Sequence, residues 1–135
     1  MTRTEARELL MQLLFEMEIQ DDYGDQRKDR FLEEHFGQKN QRTYADILFQ
    51  SIIEHLEEID RQINDNSPVR TIERMSKVDL AILRTALGEI SYQPDVPDAV
   101  VINEAVNMAK KYSTEDSKKF INGILGKIVK EKDVQ

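Results

Sequence analysis

Hydrophobic residues recur every three or four positions along most of the chain, which is the period of an amphipathic α-helix. A first segment of this kind ends at the polar run 21–25, and a second, over residues 26–36, stops at Gly37. A third keeps the spacing from Tyr44 to Ile63, which predicts one long helix of about twenty residues. The first segment carries its apolar stripe on Ala6, Leu9, Leu10, Leu13, Leu14 and Met17.

Turn and capping residues indicate where the next helices begin. Ser67 followed by Pro68 has the order of an N-cap and a first-turn proline, which predicts a short helix starting there. Residues 76–79 resemble a capping box, with aspartate in the place of the usual glutamate or glutamine. The segment 78–90 is apolar around most of its circumference, so we expect a helix surrounded by other helices. Gly88 within it would allow a close helix crossing.

Two further helices complete the pattern. The breaker 94–97 precedes an apolar spacing over residues 100–109, and Ser113 or Thr114 can cap the helix that follows. No alternating strand pattern accompanies these segments, so the spacing predicts one all-α domain of six or seven helices over residues 1–135. The last helix carries its apolar stripe on Phe120, Ile121, Ile124, Leu125 and Ile128.

Composition excludes several classes of protein and site. The chain has no cysteine, which rules out a disulfide scaffold, a thiolate zinc site and a cysteine nucleophile. Its two histidines, His35 and His55, have no partner at metal-ligand spacing, and no phosphate-binding glycine loop or nucleophile elbow occurs. We therefore expect no enzymatic activity, no cofactor and no metal site. Without a membrane-length apolar run or a signal-peptide core, we expect a cytoplasmic protein with no membrane contact.

Charge is unevenly distributed along the chain. The net charge is −7, yet residues 110–135 hold seven lysines and four acids, a net +3, which leaves −10 on the remainder. A basic end on an acidic body favours one directed contact with an anion over general adhesion to nucleic acid or lipid. A solvated helix whose lysines complement the helix dipole explains the same pattern.

Two groups of residues have the chemistry of an RNA contact. Arg3 and Arg7 lie one helical turn apart, with Gln12 further along, and arginines at that spacing can straddle a phosphate backbone. Glu5 and Glu8 lie between them and cancel the local charge. The second group suits phosphate binding, base stacking and base-edge recognition, although its aromatic ring can equally belong to the core. It comprises Lys118, Lys119, Phe120 and Asn122.

Three stretches in the second half of the chain carry a family resemblance. Residues 81–90, 101–110 and 119–125, with Pro97 between the first two, resemble in order and spacing the bacterial transcription antitermination factor NusB family. The resemblance implies about seven helices in two packed bundles and a non-catalytic role. That role is binding the boxA element of ribosomal RNA leader transcripts together with NusE, a ribosomal small-subunit protein, in a complex that joins the elongating RNA polymerase. A helical adaptor that binds proteins without touching RNA is the alternative.

The same resemblance assigns site residues. The positions that face NusE fall on Phe15 and Asp79, although Asp79 is also the third residue of its capping box. Residues 4–5 interrupt the arginine-rich start of many family members, which implies modest RNA affinity without NusE. The RNA-binding face maps onto Arg3, Arg7, Gln12, Asp116, Lys118, Lys119, Phe120 and Asn122.

Arg84 lies in one of the family-like stretches. A charged group on a helix surrounded by other helices needs a partner of opposite charge. We therefore expect Arg84 to be buried and paired with an acid such as Glu89 or Glu104, and to hold helices together rather than contact RNA.

Overall fold

The computed structural model describes residues 1–134, and every regular element within that range is an α-helix, which confirms the all-α prediction. Thr2 caps the first helix by accepting a hydrogen bond from the Glu5 amide, and Asp21 ends that helix in the left-handed conformation at φ 49°. No helix in this part of the chain combines the length and the apolar character that crossing a membrane requires. The helices are α1 (Arg3–Gln20), α2 (Asp25–His35), α3 (Arg42–Glu54), α4 (Leu56–Asn66), α5 (Lys77–Tyr92), α6 (Asp98–Tyr112) and α7 (Glu115–Val134).

Helix α5 is the centre of the fold. All residues from 79 to 90 are buried, as their apolar pattern predicts, and α1, α3, α4, α6 and α7 pack around them. Ser76 caps the helix, since its Oγ accepts a hydrogen bond from the Asp79 amide at 3.1 Å. At Gly88 an added Cβ would overlap Cγ1 of Ile52 and lie 2.8 Å from its Cδ1. The glycine therefore permits the close crossing of α3 and α5, as predicted.

Apolar side chains from all seven helices join one hydrophobic core. Phe36 and Phe49 are among its largest fully buried members, and burying a side chain of this kind contributes about 1.5–3 kcal/mol. Helix α1 packs against α2 and α3, and α7 packs against α4 and α6. Helix α5 packs against members of both groups. The two bundles implied by the family resemblance therefore share their central helix.

The prediction of one continuous helix over residues 44–63 is wrong, because the chain bends at His55. The backbone of His55 (φ −118°, ψ 25°) leaves the helical region and separates α3 from α4. The Nδ1 atom of His55 lies 2.8 Å from the Ser51 carbonyl oxygen. The imidazole ring stacks on the ring of Tyr92, with 4.3 Å between the two centroids. The bend lets α3 and α4 both pack against α5, so the apolar spacing runs through it unchanged.

The prediction of a short helix beginning at Ser67 is also wrong, since residues 67–76 form turns and bends. Ser67 Oγ pairs with the backbone of Arg70, and Asn64 Oδ1 accepts a hydrogen bond from the Ile72 amide at 2.9 Å. Serine and asparagine side chains that bond the backbone in this way compete with helix formation. The resulting loop lies beside α7.

Candidate nucleic-acid interface

The first turn of α7 presents the two adjacent lysines. Thr114 caps this helix, as predicted, because its Oγ1 accepts a hydrogen bond from the Ser117 amide at 3.1 Å. Ser117 is buried, which anchors the turn to the protein interior. Lys119 is exposed, whereas Lys118 is partly buried and its Nζ lies 2.9 Å from a carboxylate oxygen of Glu115. The two lysines are therefore not equivalent: Lys118 is engaged by an acid, and Lys119 forms no ion pair within residues 1–134.

A groove of about 530 Å³ lies between α6 and α7, and we call it the α6–α7 groove. Lys118, Lys119 and Asn122 line it from α7, and Asn103 lines it from α6. Ammonium groups bind phosphate oxygens, and side-chain amides both donate and accept hydrogen bonds. The groove therefore carries groups that can hold a phosphate backbone and read base edges. Its remaining lining is apolar and consists of Ala99, Ile102 and Val106.

Phe120 lies on the other side of α7 from this groove. Its ring is partly buried against the hydrophobic core, and the Arg70 guanidinium carbon lies 5.2 Å from the ring centroid. Lys118 and Asn122 line the α6–α7 groove, whereas Phe120 faces the loop that precedes α5. The ring therefore belongs in part to the core, and base stacking on its accessible part stays a prediction.

Arg3 and Gln12 occupy α1 away from that groove. Arg3 is exposed, with its Nε 2.6 Å from Gln41 Oε1 and its guanidinium carbon 3.7 Å from the centroid of the Tyr44 ring. Gln12 lies further along the same helix and is partly buried. The stacking on Tyr44 orders the guanidinium of Arg3 while leaving it charged and accessible to a ligand.

Polar contacts place α1 alongside α6. Thr4 Oγ1 donates to Glu104 at 2.8 Å, and Glu8 accepts from Lys111 Nζ at 3.1 Å and from the Tyr112 hydroxyl at 3.0 Å. Hydrogen bonding with Glu8, followed by that with Tyr112 and the charge of Glu8, raises the pKa of Lys111. Helix α1, which carries the first predicted RNA-binding group, and helix α7, which carries the second, therefore both contact α6. The two groups do not line one common pocket.

Arg7 requires a correction, because it does not share an exposed face with Arg3. Its side chain is 5 % exposed, and it donates to both carboxylate oxygens of Glu89, at 2.7 and 2.8 Å. Glu104 lies 3.3 Å from a further guanidinium nitrogen, and the Tyr44 hydroxyl also donates to Glu89. Burial alone would lower the pKa of Arg7, but the hydrogen bond and charge of Glu89 raise it. A buried carboxylate on α5 needs a cation, and Arg7 supplies it, so the predicted exposed face shared by Arg3 and Arg7 does not form.

Asp79 also requires a correction as a residue that faces a partner protein. It is 1 % exposed, and both carboxylate oxygens are engaged, Oδ1 by the Ser113 hydroxyl and Oδ2 by the Ser117 hydroxyl, each at 2.8 Å. These bonds replace the return bond of a capping box and tie the start of α5 to the turn between α6 and α7. Phe15 is partly buried beside the core, and its contact with NusE stays a prediction.

Arg84 is buried as expected, but its partners are not the acids expected on α5 and α6. It donates to both oxygens of Asp60 at 2.9 and 2.7 Å, to Glu18 at 2.7 Å and to the Tyr23 hydroxyl at 2.8 Å. Burial raises the pKa of Tyr23 to about 12. Burial would also raise the pKa of the Glu18 carboxyl, but hydrogen bonds from Tyr23 and Arg84 hold it below its ordinary value. This network joins α1, α4 and α5.

The groups available to a ligand lie at the surface. Among residues 1–134, every buried side-chain polar atom has a hydrogen-bond partner, and no set of three histidine, aspartate or glutamate side chains is placed to hold a metal ion. Lys119, Asn122 and Asp116 are exposed at and near the start of α7. Asp116 adds a negative charge beside the lysines.

The seven helices of residues 1–134, with α5 buried at their centre and a cationic groove between the last two, define an all-helical binding protein. The sequence model of the NusB family matches residues 4–130. The chain belongs to the NusB family, which confirms the resemblance read from α5, α6 and α7.

Relatives in this family are similar over almost the full chain. The transcription antitermination protein NusB of Acetivibrio thermocellus is 44% identical over 132 residues, which are 98% of this chain and 91% of that protein. The NusB protein of Finegoldia magna is 41% identical over 133 residues, 98% of this chain and 97% of its own. The match therefore includes both α1 and α7.

Solved structures show the same fold. NusB of T. maritima superposes with a TM-score of 0.88 at 35% identity, covering 97% of this chain and 92% of that chain. A crystal structure of the antitermination factors NusB and NusE in complex with double-stranded RNA contains a chain that is 27% identical, with a TM-score of 0.84. The alignment covers 97% of this chain and 99% of that one.

Proposed function

We propose that this protein is a transcription antitermination factor that binds the boxA element of ribosomal RNA leader transcripts together with NusE. Through that complex it acts on the elongating RNA polymerase. The observation that carries the proposal is the α6–α7 groove, where Lys118, Lys119, Asn103 and Asn122 line one surface. The relatives support it, since they are transcription antitermination proteins and one solved relative is bound to NusE and RNA.

Charge restricts the RNA contact to one part of the surface. Residues 110–135 carry a net +3 against −10 on the rest of the chain, so the acidic body repels a polyanion and the basic end attracts it. Because Arg7 is committed to Glu89, α1 offers one accessible arginine, Arg3, instead of two. RNA binding by the chain alone is therefore modest, and NusE supplies further contacts along the RNA.

Phe15 on α1 is the contact that we assign to NusE. Its ring packs beside the core and stays partly accessible. A phenylalanine has no hydroxyl, so this contact is apolar. Asp79 acts from inside the protein instead, because its bonds to Ser113 and Ser117 hold the turn from which α7 begins.

We infer that the protein acts by binding and not by catalysis, and that it works in the cytoplasm, where the transcript is made. The sequence carries no nucleophile elbow, phosphate loop or metal-ligand spacing. The accessible chemistry of the groove consists of ammonium and amide groups, which bind anions and bases but do not form a nucleophile–base pair.

Titration of a fluorescently labelled boxA RNA with this protein, with and without NusE, tests the proposal. We expect weak binding by the chain alone and much tighter binding with NusE, and no such gain with a scrambled RNA of the same length. Equal affinities with and without NusE contradict the cooperative mechanism. Binding to NusE without any RNA binding favours the adaptor alternative.

A further inference from the structure

The guanidinium of Arg3 is held on two sides by side chains from the start of α3. Its central carbon lies 3.7 Å from the centroid of the Tyr44 ring, so one face of the planar group rests on that ring. Its Nε donates a hydrogen bond to Gln41 Oε1 at 2.6 Å. A long exposed side chain ordinarily occupies many rotamers, and ordering it costs entropy. These two contacts therefore give Arg3 a defined direction before any ligand binds.

The ring under Arg3 is fixed from inside the protein. Tyr44 is 9% exposed, and its hydroxyl donates to Glu89 Oε2 at 2.9 Å. Glu89 also accepts two hydrogen bonds from Arg7, which lies one turn after Arg3 on α1. Burial, followed by the charge of Glu89, raises the pKa of Tyr44, so the hydroxyl stays protonated and continues to donate. One buried carboxylate on α5 therefore anchors both helix α1 and the ring on which Arg3 rests.

The outer edge of the Arg3 guanidinium, formed by Nη1 and Nη2, remains available. Within residues 1–134 these two nitrogens have no hydrogen bond and no ion pair, since Nε makes the polar contact to Gln41. Two parallel N–H groups on one planar edge match two oxygens of a phosphate, whereas a lysine ammonium on a flexible stem lacks this fixed fork. Because Gln41 takes the Nε edge and Tyr44 takes one face, the direction of the remaining donors is set.

We propose that Tyr44 and Gln41 are positioning residues for RNA binding, which hold Arg3 so that the outer edge of its guanidinium donates to two oxygens of one RNA phosphate. Both residues act through Arg3. Arg7 contributes indirectly, because its pair with Glu89 fixes α1 beside the ring. The inference rests on the proposed function, since the phosphate belongs to the bound RNA.

A double-mutant cycle between Arg3 and Tyr44 tests this assignment. With labelled boxA RNA and NusE present, Arg3→Ala should lower affinity about fourfold at about 0.15 M salt, the value for one lost single-strand phosphate contact. Tyr44→Leu should lower it about two- to fourfold, because the arginine keeps its charge but has to be ordered when RNA binds. In the Arg3→Ala background Tyr44→Leu should cause no further loss, whereas a general disturbance of the fold would lower affinity in both backgrounds.

The conservative change Tyr44→Phe separates positioning from folding. Phenylalanine keeps the ring under Arg3 and removes the bond to Glu89, so the urea midpoint should fall while RNA affinity stays within about twofold of the unmodified protein. Tyr92→Leu is the matched control for loss of a ring, since Tyr92 is also partly buried and stacks on another side chain, His55. It should leave RNA affinity unchanged.

A change at Gln41 tests the second contact without disturbing the core. Gln41→Glu keeps the size of the side chain but converts its hydrogen bond with Arg3 into an ion pair, which competes with phosphate. Affinity should fall by up to about fourfold, and the log–log salt slope should flatten by about 0.7. Gln38→Glu adds the same charge at an exposed position in the turn before α3, without a bond to Arg3, and should leave the slope unchanged.

Four results would overturn the inference, and they separate it from the proposed function. If Tyr44→Leu lowers affinity equally with and without Arg3, the ring acts only through the fold. If Arg3→Ala weakens RNA binding but Tyr44→Leu and Gln41→Glu do not, Arg3 needs no positioning. If Arg3→Ala leaves RNA binding unchanged, the start of α1 lies outside the RNA path, while the proposed function stands. If the unmodified protein with NusE binds no RNA, the proposed function fails together with this inference.

Discussion

The two lysines at the start of α7 are expected to contribute to RNA binding in unequal ways. Lys119 is exposed, lines the α6–α7 groove and has no ion-pair partner in the described chain, so Lys119→Ala removes a cation that is ready to meet a phosphate. For single strands each phosphate neutralised contributes about −0.7 to the log–log salt slope. At about 0.15 M salt, losing one such contact lowers affinity roughly fourfold, and losing two lowers it roughly fifteenfold.

Lys118 begins from an ion pair with Glu115 at 2.9 Å, which it must exchange for a phosphate when RNA binds. Lys118→Ala alone should therefore change the slope by less than Lys119→Ala, and the double variant should approach a change of about 1.4. Fluorescence anisotropy over a salt series, with NusE present, measures each slope. Arg30→Ala is the charge-matched control, since Arg30 is exposed on α2 beside Glu16 and Glu34. Unchanged slopes in both lysine variants, with helical content intact, would refute this reasoning.

Three further variants test the packing and the electrostatics. Gly88→Ala should destabilise the fold by about 1–3 kcal/mol in urea unfolding, and combining it with Ile52→Ala should cost less than the sum of the two single changes, whereas additivity would contradict the close crossing. Asp116→Asn removes a carboxylate beside the lysines and should tighten RNA binding by up to about tenfold; weaker binding by the folded variant would contradict this. The pKa of the Glu18 carboxyl is lower in the folded state than its ordinary value of 4.5. The ionised carboxylate therefore stabilises the fold above that pH, and this stabilisation is lost as the pH falls below it. The difference in urea midpoint between Glu18→Gln and the unmodified protein should therefore be larger at pH 7 than at pH 3, and equal differences would contradict the sign.

Helix content and the central helix could be predicted from the sequence because they follow from local periodicity. The near-continuous apolar segment 78–90 predicts a surrounded helix, and α5 is one. The bend at His55 could not be predicted in this way, since both sides of it bury their apolar residues against α5 and the spacing is uninterrupted. The turns after Ser67 depend on side-chain bonds to the backbone, which compete with the helix that Ser67 and Pro68 would otherwise favour.

Site residues were harder to predict, because burial of a charge depends on partners distant in sequence. Arg3 and Arg7 look alike in the sequence, yet Arg7 is committed to Glu89, 82 positions away, while Arg3 stays at the surface. A buried arginine predicts an acidic partner but not which acid it is. For Arg84 the partner is Asp60, whose position depends on the bend between α3 and α4. The lysines of α7 follow a helix cap that is readable in the sequence, so their placement at a helix start could be predicted.

Photo-crosslinking tests the location of the RNA interface most directly. A boxA RNA containing 4-thiouridine is bound to the complex of this protein with NusE, irradiated, and the attached peptides are identified by mass spectrometry. We predict crosslinks to residues 118–127 of α7, with Phe120 among them, and to the neighbouring surface of α6 around Asn103. Crosslinks confined to α2 and α3, or to NusE alone, would contradict the assignment of the α6–α7 groove as the RNA-binding surface.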